Sequence, residues 1–266
     1  MRREDRVIPK EALPPPPNLA PGNTLKSRLL YSLRTLLDLQ ITSVLRALKP
    51  WLAGLKGNVL EVGCGAQPYR HLIPGSCAYL GLDWYMAQAV FGYRAEDLVY
   101  FDGRKFPLKE GSFDNLFHTE VLEHINDPFR FLRECHRVLK PGGSLFFSVP
   151  FQARYHYIPH DYWRFTPAGL EILLAGAGFS DWNITPRGND IVVAAYKVFS
   201  LGFRWLSSQG RLRLLGLIFA PVAGLALMAG HLFLRLSVGS PDDCLGYNVR
   251  ARKPLDDPQS HTASPL

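Results

Sequence analysis

Asn58-Val-Leu-Glu-Val-Gly-Cys-Gly65 is the stretch that decides the fold. The short apolar run of Val59, Leu60 and Val62 leads straight into a turn with two glycines, so a buried strand ends abruptly at residue 62. Working outward, similar short apolar runs follow at 78–83 (AYLGLD), 97–102 (DLVYFD), 113–118 (FDNLFH) and 143–150 (GSLFFSVP). Stretches of helical character separate them, the clearest being Asp127–Leu139. Pro141-Gly142-Gly143 makes the turn into the fifth run, and Thr166-Pro167 opens a helix to about Ala175. Phe179–Thr185 and Cys244–Arg252 read as two last strands. Strands alternating with helices predict a parallel sheet covered on both faces.

Composition narrows the class. The 266 residues are 47% hydrophobic and 20% charged, which excludes a disordered, collagenous or coiled-coil chain. Cys64, Cys77, Cys135 and Cys244 are scattered without C-x-x-C spacing, so neither a zinc knuckle nor a redox pair is expected. The net charge of +7 admits nucleic acid or an anionic membrane as partner. The basic residues are interleaved with Leu and Phe, which favours the membrane and argues against nucleic acid.

Gly63 and Gly65 let the backbone approach a ligand closely at the carboxyl end of the first strand. Asp83 ends the second strand, where a carboxylate can accept both hydroxyls of a ribose. A dinucleotide fingerprint needs a third glycine where Pro68 stands. Glu61, just before the turn, suits a cationic ligand end better than a phosphate.

Val59-Leu-Glu-Val-Gly-Cys-Gly65, Gly81-Leu-Asp83, His118-Thr-Glu-Val-Leu-Glu-His124 and Arg137-Val-Leu-Lys-Pro-Gly-Gly143 occur in that order. Together they resemble the class I S-adenosylmethionine-dependent methyltransferases of the type 11 group, over roughly residues 57–187. The likeness extends more distantly to bacterial ubiquinone and menaquinone methyltransferases. It implies a Rossmann-like α/β fold, with a seven-stranded sheet in the order 3-2-1-4-5-7-6 and strand 7 antiparallel. It implies S-adenosyl-L-methionine as cofactor, with Gly63 and Gly65 under its methionine part and Glu61 facing its ammonium. Asp83 would hold the ribose, Trp84 would stack near the adenine, and Asp102 and Gly103 would meet the adenine amine. His118 and Thr119 would line the cofactor near the sulfonium.

Methyl transfer needs alignment of the acceptor and, for some acceptors, a base. The loop 152–166 carries His156, His160, Asp161, Tyr162, Trp163 and Arg164, a density of polar and aromatic groups that suits a substrate lid. His160 is the expected base, with Asp161 orienting it, and His124 is the third catalytic candidate. Pairing of Asp161 with Arg164, and packing of the aromatics as a plug, is the structural alternative. Glu120, Glu123 and His124, at i, i+3 and i+4, would share one helix face. Hard-metal sites use more carboxylates than this, so no metal is expected.

Residues 1–23 form a polar, proline-rich arm, expected to be disordered, and 255–266 a similar tail. Residues 24–49 read as one amphipathic helix stopped by Pro50, within an N-terminal segment 24–56. The methyltransferase unit then comprises 57–187 and 242–254. Between its last two strands, 188–241 is an insertion. Residues 191–241 hold Lys197, Arg204, Arg211, Arg213 and Arg235 but no acid. Leu214–Leu234 is uncharged and close to the ~20 residues that span a bilayer. Both flanking strands belong to one sheet, so a single crossing conflicts with the topology. An apolar helical hairpin lying in the membrane interface fits better, with its turn at Ser207–Gly210. The expected protein is a cytoplasmic enzyme held peripherally on the inner face of the membrane through 190–240. It would methylate an oxygen, rather than nitrogen or carbon, of a small, lipid-linked or amphiphilic acceptor. The alternatives are a catalytically silent cofactor-binding scaffold and an RNA methyltransferase. The sequence carries no reading of the oligomeric state.

Overall fold

The computed structural model describes residues 18, 20–87, 89, 98–236 and 238–255. Seven strands form one sheet: β1 (Asn58–Val62), β2 (Ala78–Trp84), β3 (Leu98–Phe101), β4 (Phe113–Thr119), β5 (Leu139–Pro150), β6 (Ser180–Pro186) and β7 (Gly246–Arg252). Their order is β3-β2-β1-β4-β5-β7-β6, and β7 runs antiparallel to both its neighbours. The chain leaves β1 toward β2 and β3, then returns to its other side as β4. That reversal opens a crevice above the carboxyl end of β1.

Alternation along the strands sorts two cores. Leu60, Val62, Leu116, Leu145, Phe147 and Val149 face the helices α3 (Pro128–Val138) and α4 (Pro167–Ala177). Val59, Phe117 and Phe146 face α2 (Leu39–Ala53), whose Val44, Leu45, Leu48 and Leu52 cover them. Asp127 caps α3 by accepting from the Arg130 amide, and Thr166 caps α4 in the same way through Gly169. Pro141-Gly142-Gly143 lies inside β5 as an irregularity, where pairing with β4 jumps between Phe113 and Asn115.

The N-terminal segment is two helices rather than one. α1 (Leu25–Leu37) ends at Asp38, whose backbone is extended. The Asp38 carboxylate then accepts from the amides of Gln40 and Ile41 and starts α2. A capping aspartate can therefore break an apolar periodicity that looks continuous. Pro50 falls in the last turn of α2 and does not end it. The expected arm lies outside the described residues except for Asn18 and 20–23, and the tail except for Leu255.

Between β6 and β7 the chain forms an antiparallel pair, α5 (Asp190–Leu206) and α6 (Arg211–Leu236), joined through Gly210 in the left-handed conformation. α6 buries Gly216, Ala223, Leu227, Gly230 and Leu234. These small residues let α6 approach closely: a Cβ at Gly216 would lie 2.5 Å from the Leu206 amide nitrogen, and one at Gly230 2.6 Å from the Leu39 side chain. The opposite face is apolar and open to solvent, with Ile218 77%, Met228 68% and Leu225 65% exposed. α1 has no buried residue and exposes Leu25, Leu29, Leu30, Leu33 and Leu36. The two helices abut, since His231 on α6 meets the Leu36 carbonyl at 2.7 Å. Two exposed apolar faces therefore belong to helices that meet at His231 and Leu36.

Candidate active site

A cavity of about 650 Å³ occupies the crevice. One end is built by the turn after β1 and the ends of β2 and β3. Gly63 and Gly65 both take positive φ (65° and 51°), and a Cβ at Gly63 would lie 2.6 Å from Val121. The Asp83 carboxylate accepts from the Gly65 amide at 2.8 Å and from the Trp84 amide at 2.7 Å, so it fixes the turn while lining the cavity. Burial raises its pKa, against the pull of those two amides.

Glu61 lies beneath the turn. Burial lifts its carboxyl to about 8, against a hydrogen bond donated by the Tyr79 hydroxyl at 2.5 Å. Tyr79 is a site residue that sequence reading missed. Glu61 pairs in register with Gly81, and the bare Gly81 leaves space for the Tyr79 hydroxyl, Gln67 and Cys64. Trp84, Asp102, Gly103 and Thr119 also line the cavity. Gly103 has φ 80°, and a Cβ there would lie 3.4 Å from the Trp84 ring nitrogen. Asp102 is exposed and held below the ordinary carboxylate range by the amides of Arg104 and Lys105. Three acids around a Gly-rich turn suit a ligand with positive charge and hydroxyls, and nothing here supplies a phosphate cradle.

His118 does not line the cavity. It is fully buried, stacked 4.8 Å from Phe147 and edge-on to Phe131. Burial drops its pKa to about 3, so it is a neutral core side chain. Strand alternation explains the correction: Thr119 faces the cavity and its neighbour must point the other way.

The lid follows β5. His160 lines the cavity, with Nδ1 3.2 Å from the Tyr162 hydroxyl and its ring edge-on to Trp84 at 5.9 Å. Asp161 does not orient it. Its buried carboxylate instead takes Arg164 at 2.7 and 2.8 Å and His156 Nδ1 at 2.9 Å. Burial pushes the Asp161 pKa up, but the Arg164 and His156 hydrogen bonds outweigh it and hold the group well below the usual range. His160 closes a turn in which its amide donates to the Tyr157 carbonyl, and it faces the cavity, whereas the Asp161 carboxylate after the turn is drawn inward by Arg164 and His156. Trp163 donates to the Ile125 carbonyl and stacks on Phe165, tying the lid to the domain.

Glu120, Glu123 and His124 do not share a helix face. Glu120 ends the β4 region with φ 53°, and 122–124 is a single 3-10 turn. His124 lines the cavity, and its Nδ1 donates to the His160 carbonyl at 2.6 Å, since a carbonyl can only accept. Burial holds its pKa down at about 4. Glu123, His124 and His156 place one ligand atom each within 4.8 Å of one another, so this trio, rather than Glu120, Glu123 and His124, could hold a cation.

The other end of the cavity is walled by Arg34, Asp38, Gln40, Ile41, Arg154 and Tyr196, from α1, α2, the lid and α5. Of the two helices with an exposed apolar face, α1 bounds the cavity through Arg34, and α6 packs on α5, which bounds it through Tyr196.

Comparison with known proteins joins this geometry to a chemistry. Residues 60–147 match the family description "Methyltransferase domain". Over that stretch the chain is similar to S-adenosylmethionine-dependent methyltransferases. It is 34% identical over 107 residues to a ubiquinone biosynthesis O-methyltransferase of Pseudomonas paraeruginosa, covering 36% of this chain and 46% of that one. It is 32% identical over 150 residues to the protein of the same description from Xanthomonas oryzae, covering 52% and 54%. A probable S-adenosylmethionine-dependent methyltransferase of Mycolicibacterium smegmatis is 34% identical over 97 residues, 35% of this chain and 38% of that one. The chain spans about half the length, or less, of these relatives. A crystal structure of a methyltransferase from Archaeoglobus fulgidus shares the fold with a TM-score of 0.51 at 15% identity, covering 85% of this chain and 99% of that one. The carboxylates of the acid-lined Gly turn, as acceptors, fit a cofactor with an ammonium, a sulfonium and a ribose.

Proposed function

We propose that the protein transfers a methyl group from S-adenosylmethionine to an oxygen of an amphiphilic acceptor presented at a membrane surface. The observation that carries this reading is that one cavity has an acid-lined Gly turn at one end, and at the other end α1, whose outer face is bare leucine.

The bound cofactor supplies a methyl group already activated on sulfur. Gly63 and Gly65 leave room for its methionine part, Glu61 receives the ammonium and Asp83 the ribose hydroxyls. Trp84, Asp102 and Gly103 flank the adenine, and Thr119 lies beside the reacting end. His160 takes the proton from the acceptor hydroxyl, and His124, through the His160 carbonyl, sets the lid. His160→Ala is expected to lower turnover about 100-fold or more, the usual contribution of a positioned base, while S-adenosylhomocysteine affinity stays within threefold. Full turnover in that variant, read against a calorimetric titration, removes His160 from the mechanism.

Glu61 gives the cofactor site a pH signature. A carboxyl with pKa about 8 is mostly protonated at pH 6, whereas an ammonium prefers it ionised. Affinity for S-adenosylhomocysteine should therefore rise with pH, by about tenfold from pH 6 to 7, and level off near pH 8. A flat titration profile would mean that Glu61 does not face the charge.

The apolar surface of α1 and α6 favours a bilayer over a second copy of the chain. Monomers rarely expose apolar patches beyond a few hundred Å². The helices that carry this surface and the paired α5 also hold Lys26, Arg28, Arg204, Arg211, Arg213 and Arg235. A symmetric self-contact would bring cations against cations, whereas anionic headgroups attract each cation by ~1 kcal/mol. Acceptor class is tested by incubating the protein with methyl-labelled S-adenosylmethionine and a total extract of the source cells, then partitioning the products. Label in the organic phase is expected. Label in the aqueous phase alone excludes a lipid-like acceptor. Cofactor binding without any label favours a silent binding module.

A further inference from the structure

Glu120 and Arg187 form an ion pair beneath the middle of the cavity that neither the cofactor site nor the lid explains. Arg187 follows β6 and its side chain is 0% exposed. Its Nη2 meets Glu120 Oε1 at 3.0 Å and Oε2 at 3.2 Å, and donates to the Val149 carbonyl at 3.1 Å. Its Nη1 reaches the Gln40 carbonyl and the Ser43 hydroxyl on α2. The guanidinium is therefore fixed from three sides, by the ends of β4 and β5 and by α2.

Glu120 differs from its partner. Its side chain is 31% exposed and lines the cavity. Its backbone takes φ 53°, a conformation that side-chain-bearing residues rarely adopt and that persists only where the surroundings impose it. The imposed contacts are clear: the Glu120 amide donates to the Ser148 carbonyl, and the Ser148 hydroxyl donates to Oε1 at 2.8 Å. Oε1 is thus held by two donors, while Oε2 has a single long contact with a nitrogen that it shares. An ionised carboxylate offers about four acceptor positions, so acceptor capacity is left on the cavity side. A plain counter-ion for a buried arginine would be buried with it. Asp38 and Glu123 also lie within range of the Glu120 charge, and Arg187 counters it. Glu120 lines the same cavity as the Gly turn, which packs on Val121, and as His124, which holds the lid through the His160 carbonyl.

We propose that Glu120 receives a hydrogen bond from the acceptor's hydroxyl, and that Arg187 is a positioning residue that aims it. The acceptor class is then a neutral hydroxyl compound whose O–H points away from the cofactor end, leaving an oxygen lone pair toward the methyl group; Glu120 holds the hydroxyl hydrogen while the oxygen–methyl bond forms and the sulfur–methyl bond breaks, and the proton then passes to His160. This rests on the methyl-transfer reading above.

The test uses the full chain with methyl-labelled S-adenosylmethionine and source-cell extract, counting product in both phases. Variants are Glu120→Gln, Arg187→Gln and the double variant, each with its melting temperature and S-adenosylhomocysteine affinity. Glu120→Gln is expected to lose at least about 30-fold in transfer, with cofactor affinity within threefold. If Arg187 acts through Glu120, the double variant loses no more than the worse single variant; independent roles make the losses multiply. Multiplying losses, or transfer by Glu120→Gln within threefold of the native protein, would overturn the proposal. Should Arg187→Gln fail to fold, Glu120→Gln alone still decides. Native-protein label in the aqueous phase only defeats the lipid acceptor but leaves Glu120 tested on that product. Absence of label in both phases, with cofactor bound, defeats both.

Discussion

Asp83→Ala is expected to weaken S-adenosylhomocysteine binding by at least about 100-fold. Hydrogen bonds to a charged group contribute ~1.5–3 kcal/mol each, and a ribose offers two. A further loss comes from the turn itself, because Asp83 accepts from the Gly65 amide and holds the backbone where a ligand must pass. Folding should survive, since Val62 and Leu82, which anchor the neighbouring strands, are untouched. Titration calorimetry of the purified variant reads the effect directly. Affinity within threefold of the native value would place the ribose elsewhere.

The second large effect concerns the apolar surface. Ile218, Leu225 and Met228 are solvent-exposed on α6, so replacing all three by Asp should leave the domain folded. On vesicles containing anionic lipid, the native protein is expected to bind and the triple variant to lose at least about 100-fold in partition. Each lost side chain forgoes ~1.5–3 kcal/mol of burial, and each new carboxylate meets headgroup repulsion. Deleting residues 190–240 is a poorer test, because Leu39 of α2 packs against Leu227 and Leu234 and would be uncovered. Equal partition of the native and triple variants contradicts the membrane reading. A concentration-dependent dimer that the triple variant abolishes would assign the surface to a second copy.

Local chemistry was legible in the sequence, and what depends on long-range placement was not. Glu61, Gly63, Gly65 and Asp83 sit at strand ends, so a reader who finds the strands finds them. Strand order and the antiparallel last strand came with the family resemblance, since periodicity alone does not set pairing partners. His118 was misplaced for want of one bit of information, which face β4 turns to the cavity. Asp38 hid a helix break inside an unbroken run of leucines. Asp161 was drawn toward His160 by adjacency, yet Arg164 and His156 offered it a charged partner each. Arg187 was invisible for a different reason. Pro186-Arg187-Gly188 reads as a surface turn, and its partner Glu120 lies 67 residues away in the chain. Only the closing of β7 between β5 and β6 brings the two together.

The same placement explains why the insertion and the site belong to one account. α5 and α6 hang from the β6–β7 connection, and that connection begins at Arg187, directly under Glu120. α2 begins at Asp38 on the cavity wall and is gripped by Arg187 through Gln40 and Ser43. The helices that carry the apolar surface are thus fastened to the floor of the cavity.

The most direct test of the central claim is formation of S-adenosylhomocysteine by the purified protein, given S-adenosylmethionine and source-cell extract, beside the Asp83→Ala variant. The native protein is expected to form S-adenosylhomocysteine in proportion to added extract, and the variant to form almost none at the same cofactor concentration. Equal formation by both, or none by a native protein that binds the cofactor, would contradict it.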